Sequence, residues 1–166
     1  MTSPAARELP TPPRRGSRWS RSRLPAGEPL FVYGTLQFGP VLTELIGRVP
    51  AMEPARLIGR RAAALPGRPY PGLVTATGSV TAGYLLTGLT ADDWRVLDVF
   101  EGDEYDLRPV SVQAGERVGY AWTYAWTAEV EDFEWSPAAF ASEHLPRYVG
   151  KCAAWRRNLV LLSETV

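Results

Sequence analysis

The sequence predicts an α+β fold, a small mixed β-barrel or curled sheet flanked by helices, and three observations carry that expectation. From Leu30 to Thr127, short apolar and β-branched runs alternate with breaks containing Gly or Pro, as strands joined by tight turns do. An amphipathic helical pattern interrupts them near residues 91–100, and a second helical stretch follows Ser136-Pro137. The 166 residues, 45% hydrophobic and 22% charged, suit a single domain with a substantial core.

Residues 1–28 are rich in Pro, Arg and Ser and lack apolar periodicity, so they read as a disordered leader before a folded domain over 29–166. Six arginines against Glu8 and Glu28 give the leader a charge of +4 and leave −4 on the remainder. An acidic body argues against nucleic acid as its ligand. Arg14-Arg15 is followed by no apolar stretch, which argues against an export signal. No run approaches the roughly 18 apolar residues of a membrane span, so no membrane partner is expected. The single cysteine, Cys152, forms no internal disulfide and fits a cytoplasmic location. With one cysteine and one histidine, His144, no conventional zinc set is available.

The elements follow in order. Leu30–Tyr33 reads as a buried strand, and Arg56–Leu65 and Ser79–Leu89 as two more. Between the latter two, residues 66–72 (Pro-Gly-Arg-Pro-Tyr-Pro-Gly) read as a stiff, turn-rich loop. Thr90 caps a helix from Ala91 to about Phe100, with Asp93 at the capping-box position and Trp94 and Leu97 on one face. Leu107–Gln113 and Arg117–Thr127 form an antiparallel pair around Gly115. Ser136 caps the last helical stretch, with Pro137 in its first position. Its apolar stripe runs from Phe140 through Tyr148, Cys152 and Trp155 to Leu159, interrupted near Pro146.

Two segments can carry chemistry. Tyr33-Gly34-Thr35-Leu36 ends an apolar strand in an abrupt turn, so backbone N–H groups point off the strand end, where they suit a carboxylate or oxyanion. The same residues also serve as ordinary strand-to-turn punctuation. Glu101 lies four residues after Leu97 and seven after Trp94, at the apolar-face end of the helix. A carboxylate on that face loses hydration, and its pKa rises toward the range useful for proton transfer. Alternatively the helix frays at Gly102 and Glu101 turns outward or pairs with Arg108. Asp103, Glu104 and Asp106 read as a solvated acidic turn, Cys152 as a buried thiol, and His144 as a packed or surface side chain. Tyr124, with Trp122 and Trp126, can line a pocket on one strand face.

The chain resembles the γ-glutamylcyclotransferase-like family, in its avirulence-induced-gene-like branch. The resemblance rests on residues 31–36 (Phe-Val-Tyr-Gly-Thr-Leu), residues 68–72 (Arg-Pro-Tyr-Pro-Gly), and the pattern from Leu97 through Phe100-Glu101-Gly102 and Tyr105 to Arg108. It continues through Ala121, Trp122 and Tyr124 and covers about Leu30 to Leu159. It implies an α+β fold with a small mixed barrel, and release of 5-oxoproline from a small γ-glutamyl amide without metal, cofactor or covalent nucleophile. By resemblance Glu101 is the catalytic acid/base, Tyr33, Gly34, Thr35 and Leu36 hold the glutamyl end, and Tyr105 lines the pocket. Gln37-Phe38 follows the turn where the family often has Lys or Arg. Removal of a γ-glutamyl protecting group, a non-catalytic ligand-binding module, or an interaction protein acting through the basic leader are the alternative readings. Oligomeric state and leaving amine are not specified.

Overall fold

The computed structural model describes residues 24–159; the first 23 residues of the expected leader and residues 160–166 lie outside the described residues. Five strands are formed: β1 (Leu30–Val32), β2 (Ala51–Leu65), β3 (Arg68–Thr87), β4 (Tyr105–Ala114) and β5 (Arg117–Trp126). They close into a barrel in the order β1-β3-β2-β4-β5. Closure is made by β1, which pairs antiparallel with β3 and parallel with β5. Among the described residues, a 3-10 turn (Thr35–Gln37) and four helices, α1 (Gly39–Ile46), α2 (Ala91–Glu101), α3 (Pro137–Glu143) and α4 (Leu145–Asn158), accompany the barrel in an α+β architecture.

Strand periodicity divides the apolar residues between two cores. On β1, Phe31 points into the barrel with Leu57, Leu73 and Val112, and Tyr33 just beyond the strand joins them. Leu30 and Val32 face outward and pack with Leu42, Leu45, Trp94 and Leu97 of α1 and α2. A short strand buried on both faces must be apolar throughout, which is why 30–33 shows no alternation. Leu24 packs against the outer core, and Trp122 Nε1 donates to Glu28 at 2.9 Å, so residues 24–28 lie against the barrel.

The expected helix caps form. Thr90 and Asp93 exchange hydrogen bonds at 2.9 and 3.1 Å, and Arg48 pairs with the Asp93 carboxylate. Ser136 accepts from the Ala139 N–H at 3.1 Å. Several boundaries differ from the sequence expectation: β2 begins at Ala51 rather than Arg56, β4 at Tyr105 rather than Leu107, and residues 68–72 belong to β3 rather than to a loop. The interruption expected near Pro146 in the helical tail falls at His144. Leu65 pairs with Arg68, leaving Pro66-Gly67 as a tight hairpin turn in which Gly67 takes φ 69°. Pro71, opposite Ala64, is tolerated because the Ala64 N–H and carbonyl bond instead to Phe133 and Glu131. Helix α1 was not anticipated, although Pro in its first turn and Gly47 at its left-handed end (φ 78°) are the ordinary signals.

Candidate active site

A cavity of about 330 Å³, within the range of small-molecule sites, opens where β1, the 3-10 turn, the start of β3, the end of α2, β4, β5 and α4 converge. It is lined by all six residues singled out from sequence: Tyr33, Gly34, Thr35, Leu36, Glu101 and Tyr105. Segments more than 100 residues apart meet there, as Thr35 and Tyr148 do through their hydroxyls at 3.3 Å.

Glu101 is the last residue of α2, whose inner face is anchored by the fully buried Trp94 and Leu97. Gly102 follows with φ 80°, a backbone conformation that strains any residue with a side chain, so the chain leaves the helix sharply there. Glu101 therefore stays on the helical face and lines the cavity. It does not turn outward to Arg108, whose guanidinium pairs with Asp106 at 2.9 Å. Burial and, second, the nearby Asp98 carboxylate raise the Glu101 pKa to about 8. Among the described residues, no hydrogen bond or ion pair holds the Glu101 carboxylate, so its oxygens are left for a ligand.

Four tyrosines, Tyr33, Tyr105, Tyr124 and Tyr148, surround this carboxylate. Burial pushes each phenol upward, and the Glu101 charge adds to the rise in all four, so all remain neutral O–H groups. Their partners separate their roles. Tyr33 donates to the Tyr124 carbonyl at 2.6 Å and accepts from the Leu73 N–H at 3.2 Å, so its phenol ties β3 to β5 inside the barrel. Tyr105 donates to the Pro71 carbonyl at 2.7 Å and sets its ring edge-on to Trp126, fixing the β3 wall of the cavity. Tyr124 donates to Asp98 at 3.0 Å, which holds the second carboxylate one helical turn before Glu101.

The 3-10 turn uses the N–H groups of Gln37 and Phe38 for its own bonds to Gly34 and Thr35. The N–H groups at its start have no partner within the turn, leaving them able to meet an anion. Gln37 Nε2 donates to the Tyr33 carbonyl at 2.7 Å and braces the turn from behind. The Leu36 side chain is buried in the outer core, so its contribution to the cavity is mostly backbone. Gly34 must be small because a Cβ there would sit 2.9 Å from the Pro71 ring.

Sequence reasoning missed several cavity residues. Glu104, expected in a solvated turn, instead pairs with Arg68 at 2.5 Å and lines the cavity, while Arg68 lies over the Trp126 ring at 5.1 Å. Tyr70, Pro71, Phe100, Lys151 and Trp155 complete the walls. The apolar stripe of the tail was visible, but no local signal says that Tyr148 reaches Thr35. Cys152 is 2% exposed, and burial pushes its thiol up to about 11, which leaves it a poor nucleophile near neutral pH. His144 lies at the α3–α4 junction with its ring 6.0 Å from that of Phe140, outside the cavity lining. Among the described residues no group of three or more His, Cys, Asp or Glu could hold a metal ion, and no helix is long and apolar enough to cross a membrane.

Known proteins share this arrangement of elements. AIG2-like protein C of Arabidopsis thaliana is 41% identical over 101 residues, 58% of each chain. AIG2-like protein A of the same plant is 30% identical over 126 residues, 72% of this chain and 76% of that one. The match thus spans little more than half the length of the first of these relatives. A solution structure of another Arabidopsis thaliana protein superposes with a TM-score of 0.59 at 27% identity, over 75% of this chain and 87% of that one. The family model described as gamma-glutamyl cyclotransferase, AIG2-like, matches residues 30–143. The chain belongs to that AIG2-like gamma-glutamyl cyclotransferase family.

Proposed function

We propose that the cavity is the active site of a γ-glutamyl cyclotransferase that converts a small γ-glutamyl amide into 5-oxoproline and a free amine. The observation that carries this reading is Glu101: a desolvated carboxylate of pKa about 8, unpaired by protein, in the same cavity as the anion-suited turn. In the reaction the substrate's neutral α-amine attacks its own γ-carbonyl carbon, forming the ring C–N bond and a tetrahedral oxyanion. Glu101 takes a proton from the attacking nitrogen and returns it to the departing nitrogen as the original amide C–N bond breaks. A single group performs both transfers when its pKa lies near the working pH.

The rest is positioning. Because nucleophile and electrophile belong to one molecule, holding the glutamyl chain folded back supplies much of the acceleration. Backbone N–H groups of the Gly34–Leu36 turn suit the glutamyl α-carboxylate, with the Thr35 and Tyr148 hydroxyls beside them. The neutral phenols around Glu101 add no competing charge; Tyr33, Tyr105 and Tyr124 spend their single O–H on protein acceptors, which leaves the Tyr148 hydroxyl, beside Thr35, to meet substrate. The nucleophile comes from the substrate, so the mechanism calls on no protein nucleophile, metal or cofactor.

The test is a panel of γ-glutamyl amides assayed for 5-oxoproline with wild type and Glu101→Gln. Glutamine keeps the shape and removes the titratable proton, and loss of general acid/base catalysis is expected to cost about 10²–10⁴-fold in kcat. A variant that keeps most of the wild-type rate overturns the mechanism. Tight 5-oxoproline binding by a wild type that turns over no panel member favours a ligand-binding module instead.

A further inference from the structure

We propose, resting on the cyclotransferase reading, that Asp98 is a positioning residue for that reaction: a carboxylate that the Tyr124 phenol fixes one helical turn behind Glu101, and that acts through Glu101 without touching substrate. The two residues are three apart on α2, which puts them on one helix face with Cβ atoms roughly 5–6 Å apart. Glu101 lines the cavity and Asp98 does not. Half-buried behind it, Asp98 accepts the Tyr124 O–H at 3.0 Å. Tyr124 lines the cavity too, and its phenol has a single proton to donate. Given to Asp98, that proton leaves the Glu101 oxygens for the substrate nitrogen. Given to Glu101, it would stabilise the carboxylate and weaken it as a proton acceptor.

The holder is itself held. The Tyr124 carbonyl accepts the Tyr33 phenol at 2.6 Å, and that phenol accepts the Leu73 N–H at 3.2 Å. Through Asp98 the last turn of α2 is therefore tied to β5 and onward to β3, so the helix end that carries Glu101 has a rigid mount. Asp98 also brings a charge. A like charge one turn away disfavours ionisation of Glu101, and it adds to burial in holding the Glu101 proton up to about 8. The other titratable groups lining the cavity are Tyr33, Tyr70, Tyr105, Tyr124, Tyr148, Cys152, Glu104 and Lys151. Burial pushes the Tyr33, Tyr105, Tyr124 and Tyr148 phenols and the Cys152 thiol upward, away from the neutral range. Glu104 is paired with Arg68, and Lys151 carries the opposite sign. Asp98 supplies the like charge that Glu101 meets on its own helix.

The experiment titrates the Glu101 carboxyl by carbon-13 NMR in the full chain labelled at glutamate Cδ, with Glu101→Gln identifying its signal. Wild type is compared with Asp98→Asn and Tyr124→Phe. Asparagine keeps an acceptor for the phenol and removes the charge; phenylalanine keeps the charge and removes its holder. Asp98→Asn is expected to lower the Glu101 midpoint by on the order of one pH unit. The rising limb of kcat/KM for the best γ-glutamyl amide of the panel should move to acid with it, while KM at the optimum changes less than about threefold. Tyr124→Phe should leave the midpoint within about half a unit and lower kcat about tenfold, because Glu101 then sits on a looser helix end. An unmoved Glu101 midpoint in Asp98→Asn would overturn the inference even if activity fell, since a merely structural side chain could cause that fall. Wild-type kcat in Tyr124→Phe would overturn it as well, and this variant decides the matter if Asp98→Asn does not fold. The titration needs no substrate, so its failure sinks this inference alone, whereas no 5-oxoproline from any panel amide sinks the cyclotransferase reading and the catalytic role of Asp98 with it.

Discussion

Replacing Glu101 by glutamine should change how stability depends on pH, whatever the substrate proves to be. In the folded protein Glu101 holds its proton up to a pH of about 8, against 4.5 for an ordinary glutamate. Between those values the folded state binds more protons than the unfolded state, so unfolding free energy falls as pH rises. The contribution is fully present below pH 4.5 and is lost as pH climbs through 8. At about 1.4 kcal/mol per pH unit, the interval sets a ceiling of about 5 kcal/mol. Glu101 lines an open cavity where water and relaxation soften the cost of ionisation, so ~2 kcal/mol is the expected size. Urea unfolding followed by tryptophan fluorescence, run from pH 5 to 9 on wild type and Glu101→Gln, isolates the effect, because other titrating groups largely cancel in the difference. The glutamine variant should gain on wild type from pH 5 to about 8 and level off above it. A difference that stays flat within about 0.5 kcal/mol, or slopes the other way, would mean that Glu101 is well hydrated, and the acid/base argument would lose its physical basis.

Three further outcomes check the site's construction. Tyr33→Phe leaves the Tyr124 carbonyl and the Leu73 N–H without their phenol partner inside the barrel, and should cost about 1–3 kcal/mol in chemical denaturation. Gly34→Ala drives a methyl to 2.9 Å from the Pro71 ring, so turn or ring must move. A cost of about 1–3 kcal/mol is expected, with a loss of kcat/KM on γ-glutamyl substrates that exceeds any loss on thermal unfolding midpoint. The Cys152 thiol, raised to about 11 and buried, should resist iodoacetamide at pH 7–8 in the folded protein and react promptly in urea; rapid native labelling would contradict its packing.

The parts of this molecule legible in advance are those that local chemistry decides. The Thr90–Asp93 capping box needs only three residues of separation and a helix to cap. The spacing of Trp94, Leu97 and Glu101 puts all three on one helical face without reference to the rest of the chain. Residues 66–72 misled because Pro and Gly mark turns locally, whereas here the 131–133 segment takes up the Ala64 hydrogen bonds and lets a strand run through Pro71. Helix α1 is brief, and its apolar residues are ordered by packing against α4, the 3-10 turn and α2.

The sequence by itself determined most of the elements, the helix caps at Thr90 and Ser136, and the two segments whose chemistry could matter, because each depends on neighbours within a few positions. Only the tertiary structure decided that Glu101 faces a cavity while Arg108 turns to Asp106. It also decided that the Tyr33 phenol is a barrel strut and that Tyr148 and Lys151 join the site from the far end of the chain. Those outcomes follow from barrel closure, in which strands 90 residues apart become neighbours and burial, the quantity that sets the carboxylate's pKa, is fixed by atoms no local window contains.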